Sequence, residues 1–279
     1  SSDLLSQAQR MTGKNLTLPV LNNLYIEATG KSLIIKATNL DVGVEISVPA
    51  KVGAEGVVVV PGDIFANFVG SLRGEKSVTG ELSHGTLVVS APNATSQIKT
   101  HPHEDFPSIP RVQGGTTLSV SPADITKGLK SVQYSASPST MKPELASIYI
   151  YPHDGSLVFV ATDSFRLAER SVSVKGSEKL EEVLLPHKNA IEMVRLLDET
   201  DGTIDMLYDG NQLSFQNDGL YVTSRVIDGT FPDYKQIVPT EATTEVVVLK
   251  EDLEHALKTA HIFSDKLNQI TVSVDPSDA

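Results

Sequence analysis

Apolar residues along this chain follow two spacings, which predict many short strands and a few amphipathic helices. The clearest stretch starts with alternating apolar residues at Thr116–Val120, a pattern typical of a strand with one buried face. Ser121 then predicts a helix N-cap and Pro122 the first turn of a helix. The apolar stripe of this helix, at three- and four-residue spacing, consists of Ile125, Leu129 and Val132.

The same stretch continues with further strands and a second helix. Strands are predicted from alternating apolar positions bounded by turn residues, and the helix from an apolar face opposite alternating charges. The predicted strands cover residues 147–151, 157–161, 166–174, 182–185, 203–208, 212–216 and 220–226, and the helix covers residues 186–198.

An earlier stretch has the same order of elements, without the opening strand. It starts with a predicted helix at 3–11 and has a second one at 62–72. Strands are predicted at 24–28, 33–38, 42–48 and 56–60, and more strands follow the second helix up to residue 100.

Short strings recur between the two stretches at a nearly constant offset of 124 or 125 positions, which indicates an internal duplication. The matched strings are 37–41 with 161–165, 60–61 with 185–186, and 105–107 with 230–232.

A third copy is predicted from residue 244, with a strand at 245–249, a helix at 251–262 and a strand at 269–274. We therefore expect an α+β fold of repeated domains, each with two helices packed on antiparallel sheet. The predicted domains are residues 1–110, lacking the first strand, residues 111–240, and residues 241–279, the start of a third domain. A copy with one helix and two strands buries little apolar surface alone.

The amino-acid composition excludes only a few classes of protein and of chemistry. The chain has 279 residues, 40% of them hydrophobic and 21% charged, as expected of a globular protein. It has no cysteine, which excludes disulfides and cysteine chemistry and agrees with a reducing cytoplasm. No apolar run approaches the length of a membrane span. The net charge of −12 argues against tight binding of nucleic acid unless cations are clustered on one face.

Several strings in this order resemble the bacterial DNA polymerase sliding clamps, the β subunits of the replicative polymerase III holoenzyme. The similarity extends over the whole chain. The strings are residues 16–21, 37–42, 159–163 with 166–168, and 228–234.

The resemblance implies a non-enzymatic processivity factor with no cofactor, no metal and no catalytic residue. Two protomers of three similar domains would form a homodimeric ring around double-stranded DNA, in a sequence-independent manner. DNA polymerase III catalytic subunit, the clamp loader and other proteins with clamp-binding motifs would be its partners, in the cytoplasm. A chain that ended inside the third domain is expected not to close a stable ring.

The resemblance also places a peptide-docking pocket between the middle and last domains. Relatives often have Gly-His where this chain has Ser164-Phe165, so the peptide preference is expected to differ. The predicted pocket residues are Leu145, Thr162, Ser164, Phe165, Arg166, Leu167, Pro232, Gln236 and Ile237.

Cations on the polar faces of the predicted helices would line the hole of the ring. A clamp must slide, so weak phosphate contacts that ignore the base sequence suit it. These DNA-facing residues are predicted to be Arg10, Lys14, Lys127, Lys130, Lys188 and Arg195. The seam between protomers is predicted at Ile98, Ile262 and Phe263, although Ile262 and Phe263 could instead face the core of the last domain.

Two alternatives remain open from the residues alone. A peptide-docking scaffold without DNA enclosure would share the pocket but not the ring. A hydrolase would use His101 and His103 with the adjacent acids Glu104 and Asp105. Pro102 between the two histidines favours an irregular solvated loop over a metal site or a catalytic site.

Overall fold

The structure, a computed structural model, describes residues 2–12, 18–72, 77–241, 244–264, 266 and 269–274. It consists of two compact units, Ser1–Phe231 and Pro232–Ala279. Each unit is described by itself below.

The described residues in the first part of the larger unit form two α-helices, a 3-10 helix at Pro19–Asn22 and seven strands. The helices are α1 (Ser2–Arg10) and α2 (Gly62–Ser71). The strands are β1 (Asn23–Thr29), β2 (Ser32–Thr38), β3 (Val42–Pro49), β4 (Gly56–Pro61), β5 (Thr79–Ser83), β6 (Thr86–Ala91) and β7 (Ala94–Lys99).

The second part repeats this order, preceded by one more strand. Its helices are α3 (Pro122–Val132) and α4 (His187–Leu197). Its strands are β8 (Thr116–Val120), β9 (Ser147–His153), β10 (Ser156–Thr162), β11 (Leu167–Ser173), β12 (Val183–Pro186), β13 (Ile204–Tyr208), β14 (Gln212–Gln216) and β15 (Leu220–Arg225).

Three antiparallel sheets hold these strands, and the largest contains strands of both repeats. Its order is β4-β1-β2-β3-β15-β14-β13-β8, and the others are β11-β10-β9-β12 and β5-β6-β7. The two repeats join where β15 pairs with β3, with Val222 opposite Val44. Sequence patterns predicted the α+β class and the strands of the larger unit, and both are confirmed; this junction was not predicted.

Buried residues of most strands and the apolar stripes of α1, α3 and α4 form the core of the larger unit. Ile125, Leu129 and Val132 of α3 are fully buried, as their spacing predicted. Gly128 of the same helix is needed because a Cβ there would overlap the ring of Phe159 on β10. Ser121 is the N-cap residue of α3, as predicted, and has an extended backbone, although its side chain makes no capping hydrogen bond.

The repeat is preserved in the hydrogen bonds of matching turns. The Thr38 hydroxyl donates to the carbonyl oxygen of Val42 at 2.8 Å, and the Thr162 hydroxyl donates to that of Arg166 at 2.8 Å. Asn39 and Asp163 each accept two backbone N–H bonds from the following residues. The two strings 124 positions apart therefore fold into the same turn.

The part of the smaller unit that the structure describes contains one α-helix, α5 (Lys250–Ile262), and a 3-10 turn at Tyr234–Gln236. The strands predicted at 245–249 and 269–274 are absent from its described residues, where the backbone is irregular. A strand requires a hydrogen-bonded neighbour, and alternation alone does not supply one. The apolar side chains there stay in solvent, and Val247 is 90% exposed.

No helix in the described part of the chain is long and apolar enough to cross a membrane.

Candidate functional site

The turn between β10 and β11 is held by hydrogen bonds to two side chains. The Ser164 N–H donates to Thr162 Oγ1 at 3.1 Å. Asp163 Oδ1 accepts from the N–H groups of Phe165 and Arg166, both at 3.0 Å, and its Oδ2 accepts from Arg166 Nε at 3.0 Å. Because each polar side chain binds the backbone locally, the turn has a fixed shape without support from elsewhere.

The charge of Asp163 is stabilised in this turn. Desolvation favours its neutral form, but the hydrogen bonds from the backbone of Arg166 and Phe165 and the guanidinium of Arg166 outweigh that effect. The pKa of Asp163 is therefore lower than its ordinary value. The carboxylate orients Arg166 and keeps one of its N–H groups occupied.

The tip of the turn carries an aromatic ring in solvent. Ser164 has φ 77°, in the left-handed region that glycine adopts most easily, and Phe165 is 98% exposed. The guanidinium of Arg166 lies 5.9 Å from the ring centroid of Tyr134, which is itself 60% exposed. Tyr134, in the 3-10 turn Gln133–Ser135 that follows α3, did not figure in the sequence prediction.

Five of the predicted pocket residues lie in this turn or at its two ends. Thr162 is buried, Leu167 is half-buried and directly opposite Thr162 in the β10–β11 pairing, and residues 164–166 complete the turn. Leu145 is buried on the segment before β9, where its carbonyl accepts from the N–H of Ser137 at 2.8 Å. This group has the apolar surface and the cation that a peptide-binding surface requires.

The remaining three pocket residues belong to the smaller unit. Pro232 and Ile237 are exposed, Ile237 to 74%. The side-chain amide of Gln236 donates to Asp233 Oδ2 at 2.8 Å. Their assignment to a pocket stays a prediction.

The described members of the predicted DNA-facing set lie on the exposed faces of helices, and two of them, Lys130 and Arg195, have acidic partners. Lys130 Nζ of α3 lies 2.5 Å from Asp198 Oδ2 after the end of α4, and Arg195 Nη1 lies 2.6 Å from Glu192 Oε1. Arg10, Lys127 and Lys188 are exposed, and Lys14 lies outside the described residues. These ion pairs partly neutralise the cations and so lower the positive potential of the helix faces. The pair between Lys130 and Asp198 was not predicted, because the two residues are distant along the chain.

His187, at the start of α4, is the neighbour of Lys188 along the chain. Burial lowers the pKa of His187, and the charge of Lys188 lowers it further. His187 is therefore neutral near pH 7 and adds no charge to this face.

The residues predicted for the seam are in different environments. Ile98 is buried in the core of the larger unit at 3% exposure, so its side chain is not available to a neighbouring molecule; β7 offers its backbone edge instead. Ile262 and Phe263, at the end of α5, are 75% and 84% exposed.

Six strands lie at the edge of a sheet in the described part of the chain, and β7 and β11 are two of them. Each of them pairs on one side only: β7 with β6, and β11 with β10. By position in the repeat, β11 corresponds to β3 and β7 corresponds to β15, the two strands that pair across the junction between repeats. The edges of β7 and β11 thus belong to strands whose counterparts, β15 and β3, pair with each other.

The histidine cluster has no catalytic geometry. The His101 N–H pairs with the carbonyl of Val59 at 2.8 Å, and His103 Nδ1 lies 3.6 Å from Glu104 Oε1 in an exposed loop. Among the described residues, no group of three or more His, Cys, Asp or Glu side chains could hold a metal ion. The hydrolase alternative gains no support from this loop.

Comparisons with known proteins agree with this architecture. The family model described as the N-terminal domain of the DNA polymerase III beta subunit matches residues 2–110, and that of its central domain matches residues 119–233. The Beta sliding clamp of Synechococcus elongatus is 27% identical over 281 aligned residues, which cover 98% of this chain and 74% of that protein.

Two solved structures have the same fold. The DNA polymerase III beta subunit of Thermotoga maritima is 29% identical with a TM-score of 0.85, covering 94% of this chain and 71% of that one. A DnaN sliding clamp from Bartonella birtlesii bound to griselimycin is 25% identical with a TM-score of 0.85, covering 95% and 73%.

The repeated domains, their shared sheet and these relatives define a sliding-clamp protein. The chain belongs to the DNA polymerase III beta subunit family. It is therefore a processivity factor of DNA replication and an accessory subunit of the polymerase rather than an enzyme.

Proposed function

We propose that this protein tethers DNA polymerase by enclosing duplex DNA in a ring of repeated domains. The observation that supports this most is the pairing of β3 with β15, which joins two repeats into one sheet. The available edge of β11 can accept a β15-like strand from a further repeat, and β7 can accept a β3-like strand. Such head-to-tail contacts close into a ring when the rotation between repeats permits it.

The proposed ring is a homodimer of three-domain protomers. In this chain the domains are residues 1–110, 111–240 and the beginning of a third at 241–279. The closing seam would involve the edge of β7 and the exposed end of α5, with Ile262 and Phe263. Ile98 would support this seam from the core, because its side chain faces inward.

Helices would line the hole and contact the phosphates. Three of the cations, Arg10, Lys127 and Lys188, are exposed and carry their charge at the end of a long flexible side chain that can reach a phosphate. The charges of Lys130 and Arg195 are partly neutralised by ion pairs. Weak electrostatic contacts of this kind carry no base sequence information. Topology would keep the ring on DNA, and few cations would let it move along the duplex.

The turn at 162–167 would be the middle-domain part of the docking site for partner peptides. Leu167 provides apolar surface, Arg166 a cation, and Phe165 an aromatic ring that a peptide could cover, while Leu145 is buried behind the surface. The DNA polymerase III catalytic subunit, the clamp loader and other proteins with clamp-binding motifs would use it in turn. We place this work in the cytoplasm, where bacterial chromosomes are replicated.

A processivity assay tests this function. The replicative polymerase should extend a primer on long single-stranded template much further per binding event when the protein and its loader are present. The variant Arg166→Ala/Leu167→Ala should lose this stimulation, and Arg170→Ala, an exposed change on the same strand, should retain it. Unchanged product length with and without the protein would refute the proposal.

A docking scaffold without DNA enclosure is the second candidate. The ion pairs of Lys130 and Arg195 favour it, because they reduce the positive charge available for phosphates. A scaffold would bind the same peptides but would give no increase in product length.

A further inference from the structure

The linker segment, defined here as residues 105–112, lies on the face of the eight-stranded sheet opposite the core. Tyr25 of β1, Gly43 and Glu45 of β3, and Tyr221 of β15 alternate with core residues and so point to that face. The segment contacts all three strands, which belong to both repeats.

Two contacts anchor the segment to the first repeat. The ring of Phe106 lies against that of Tyr25, with centroids 5.4 Å apart. Ile109 packs over Gly43 so closely that a Cβ at Gly43 would lie 2.7 Å from Ile109 Cγ2. Real Cβ atoms do not approach another carbon to this distance, so the position of Ile109 depends on glycine at residue 43.

Further contacts anchor it across the junction. The Tyr221 hydroxyl donates to the carbonyl of Pro110 at 2.9 Å and accepts from the N–H of Val112 at 3.0 Å. The Arg111 guanidinium lies 3.9 Å from the ring centroid of Tyr221 and pairs with Glu45 of β3. Arg111 therefore contacts β3 and β15 at once, at the place where the two repeats join.

The position that Ile109 covers corresponds to the proposed docking site of the second repeat. Gly43 lies opposite Thr38 in the β2–β3 pairing, and Leu167 lies opposite Thr162 in the β10–β11 pairing. Both pairs follow the same turn, with the same threonine hydrogen bond. The first repeat thus has a counterpart of the docking site, and the chain itself fills it.

We infer that the linker segment is a resident ligand of this counterpart site: Ile109 over Gly43 closes it to partner peptides, and the segment fastens the first two repeats to each other. The comparison of this site with a docking site rests on the proposed function. The position of the linker segment over Gly43, and its role in holding the two repeats together, do not rest on it. An extended peptide with an aliphatic residue at the place of Ile109 and a cation two residues later is the chemistry that fits the emptied site.

Hydrogen–deuterium exchange followed by mass spectrometry tests the fastening without DNA or partner proteins. Gly43→Ala should expel Ile109 and increase exchange roughly tenfold in residues 105–112 and in β3 and β15, with β9 and β10 unaffected. Gly56→Ala is the matched control, because nothing lies within 4 Å of a Cβ at that strand position. Gly43→Ala/Ile109→Ala should exchange like Ile109→Ala alone, since the overlap is gone. Equal exchange in Gly43→Ala and Gly56→Ala would overturn the inference.

A synthetic peptide with the sequence Asp-Phe-Pro-Ser-Ile-Pro-Arg-Val, at millimolar concentration, tests the occupancy. It should protect the region around Gly43 in the Ile109→Gly variant and leave the wild-type chain unchanged, because the tethered segment already fills that site. Gly43→Ala/Ile109→Gly should not be protected, because the new methyl group narrows the site. Absence of protection in Ile109→Gly, or equal protection of the wild type, would overturn the inference. Failure here would leave the processivity assay unaffected.

Discussion

The ring of Phe231 stacks on that of Tyr149, with centroids 4.9 Å apart and planes 9° apart. A related contact occurs one repeat earlier, where Phe106 lies against Tyr25 with the ring planes tilted by 43°. In both cases the phenylalanine lies on the segment at the end of a repeat. The tyrosine lies on the first strand that follows the first helix of the same repeat. The aromatic contact fixes the direction in which the chain leaves each domain.

Loss of this stacking should destabilise the middle repeat. Phe231 is 7% exposed, so Phe231→Ala removes a buried ring and should lower the free energy of unfolding by about 3 kcal/mol. Phe165→Ala is the control, because a ring that is 98% exposed should change stability by no more than about 0.5 kcal/mol. Urea unfolding followed by circular dichroism measures both, and equal midpoints would contradict the assignment.

The stability of the turn at Asp163 should depend more on the side-chain oxygen that accepts two backbone N–H bonds than on the negative charge of that side chain. Asp163→Ala leaves the N–H groups of Phe165 and Arg166 without their partner, so stability should fall by about 1–2 kcal/mol. Asp163→Asn should cost less, because Asn39 makes the equivalent bonds in the first repeat. Comparable losses in the two variants would mean that the ion pair with Arg166 stabilises the turn.

The same carboxylate predicts a pH dependence. Its folded pKa lies below the unfolded value of about 3.9, so its contribution is complete above that pH and is lost as the pH falls through the folded pKa. The stability difference between the wild type and Asp163→Asn should therefore shrink below about pH 4. Denaturant unfolding at neutral and acidic pH measures it; a difference that grows on acidification would contradict the sign of the pKa shift.

Much of this fold follows from local pattern. Alternation predicted most strands of the larger unit, and the strings at 37–41 and 161–165 predicted equivalent turns, because turn geometry depends on nearby residues. The β3–β15 pairing and the Lys130–Asp198 ion pair could not be predicted, since both join residues far apart in sequence. The strands predicted at 245–249 and 269–274 failed for the same reason, because pairing partners are not a local property.

Peptide docking should depend on the half-buried and charged residues of the turn. Leu167→Ala and Arg166→Ala should each weaken binding of a clamp-binding peptide roughly tenfold, or about 1.4 kcal/mol. Fluorescence anisotropy with a labelled peptide measures the affinity, with Arg170→Ala as the control on the same strand. Unchanged affinity in both variants would remove the turn from the docking site.

The salt dependence of DNA binding should report which cations contact phosphates. Lys127→Ala and Lys188→Ala should each reduce the slope of log affinity against log salt concentration by about 0.9. Asp198→Asn should increase the slope, because it releases Lys130 from its ion pair. Lys175→Ala, in the loop after β11, is the control. Equal slopes in all four variants would exclude these helices from the DNA contact.

Retention on circular and linear DNA tests enclosure most directly. The protein loaded on a nicked plasmid should co-elute with it in gel filtration at high salt, and cutting the plasmid once should release the protein, because a ring slides off a free end. Retention that is equal before and after cutting would show that affinity, and not a closed ring, holds the protein on DNA.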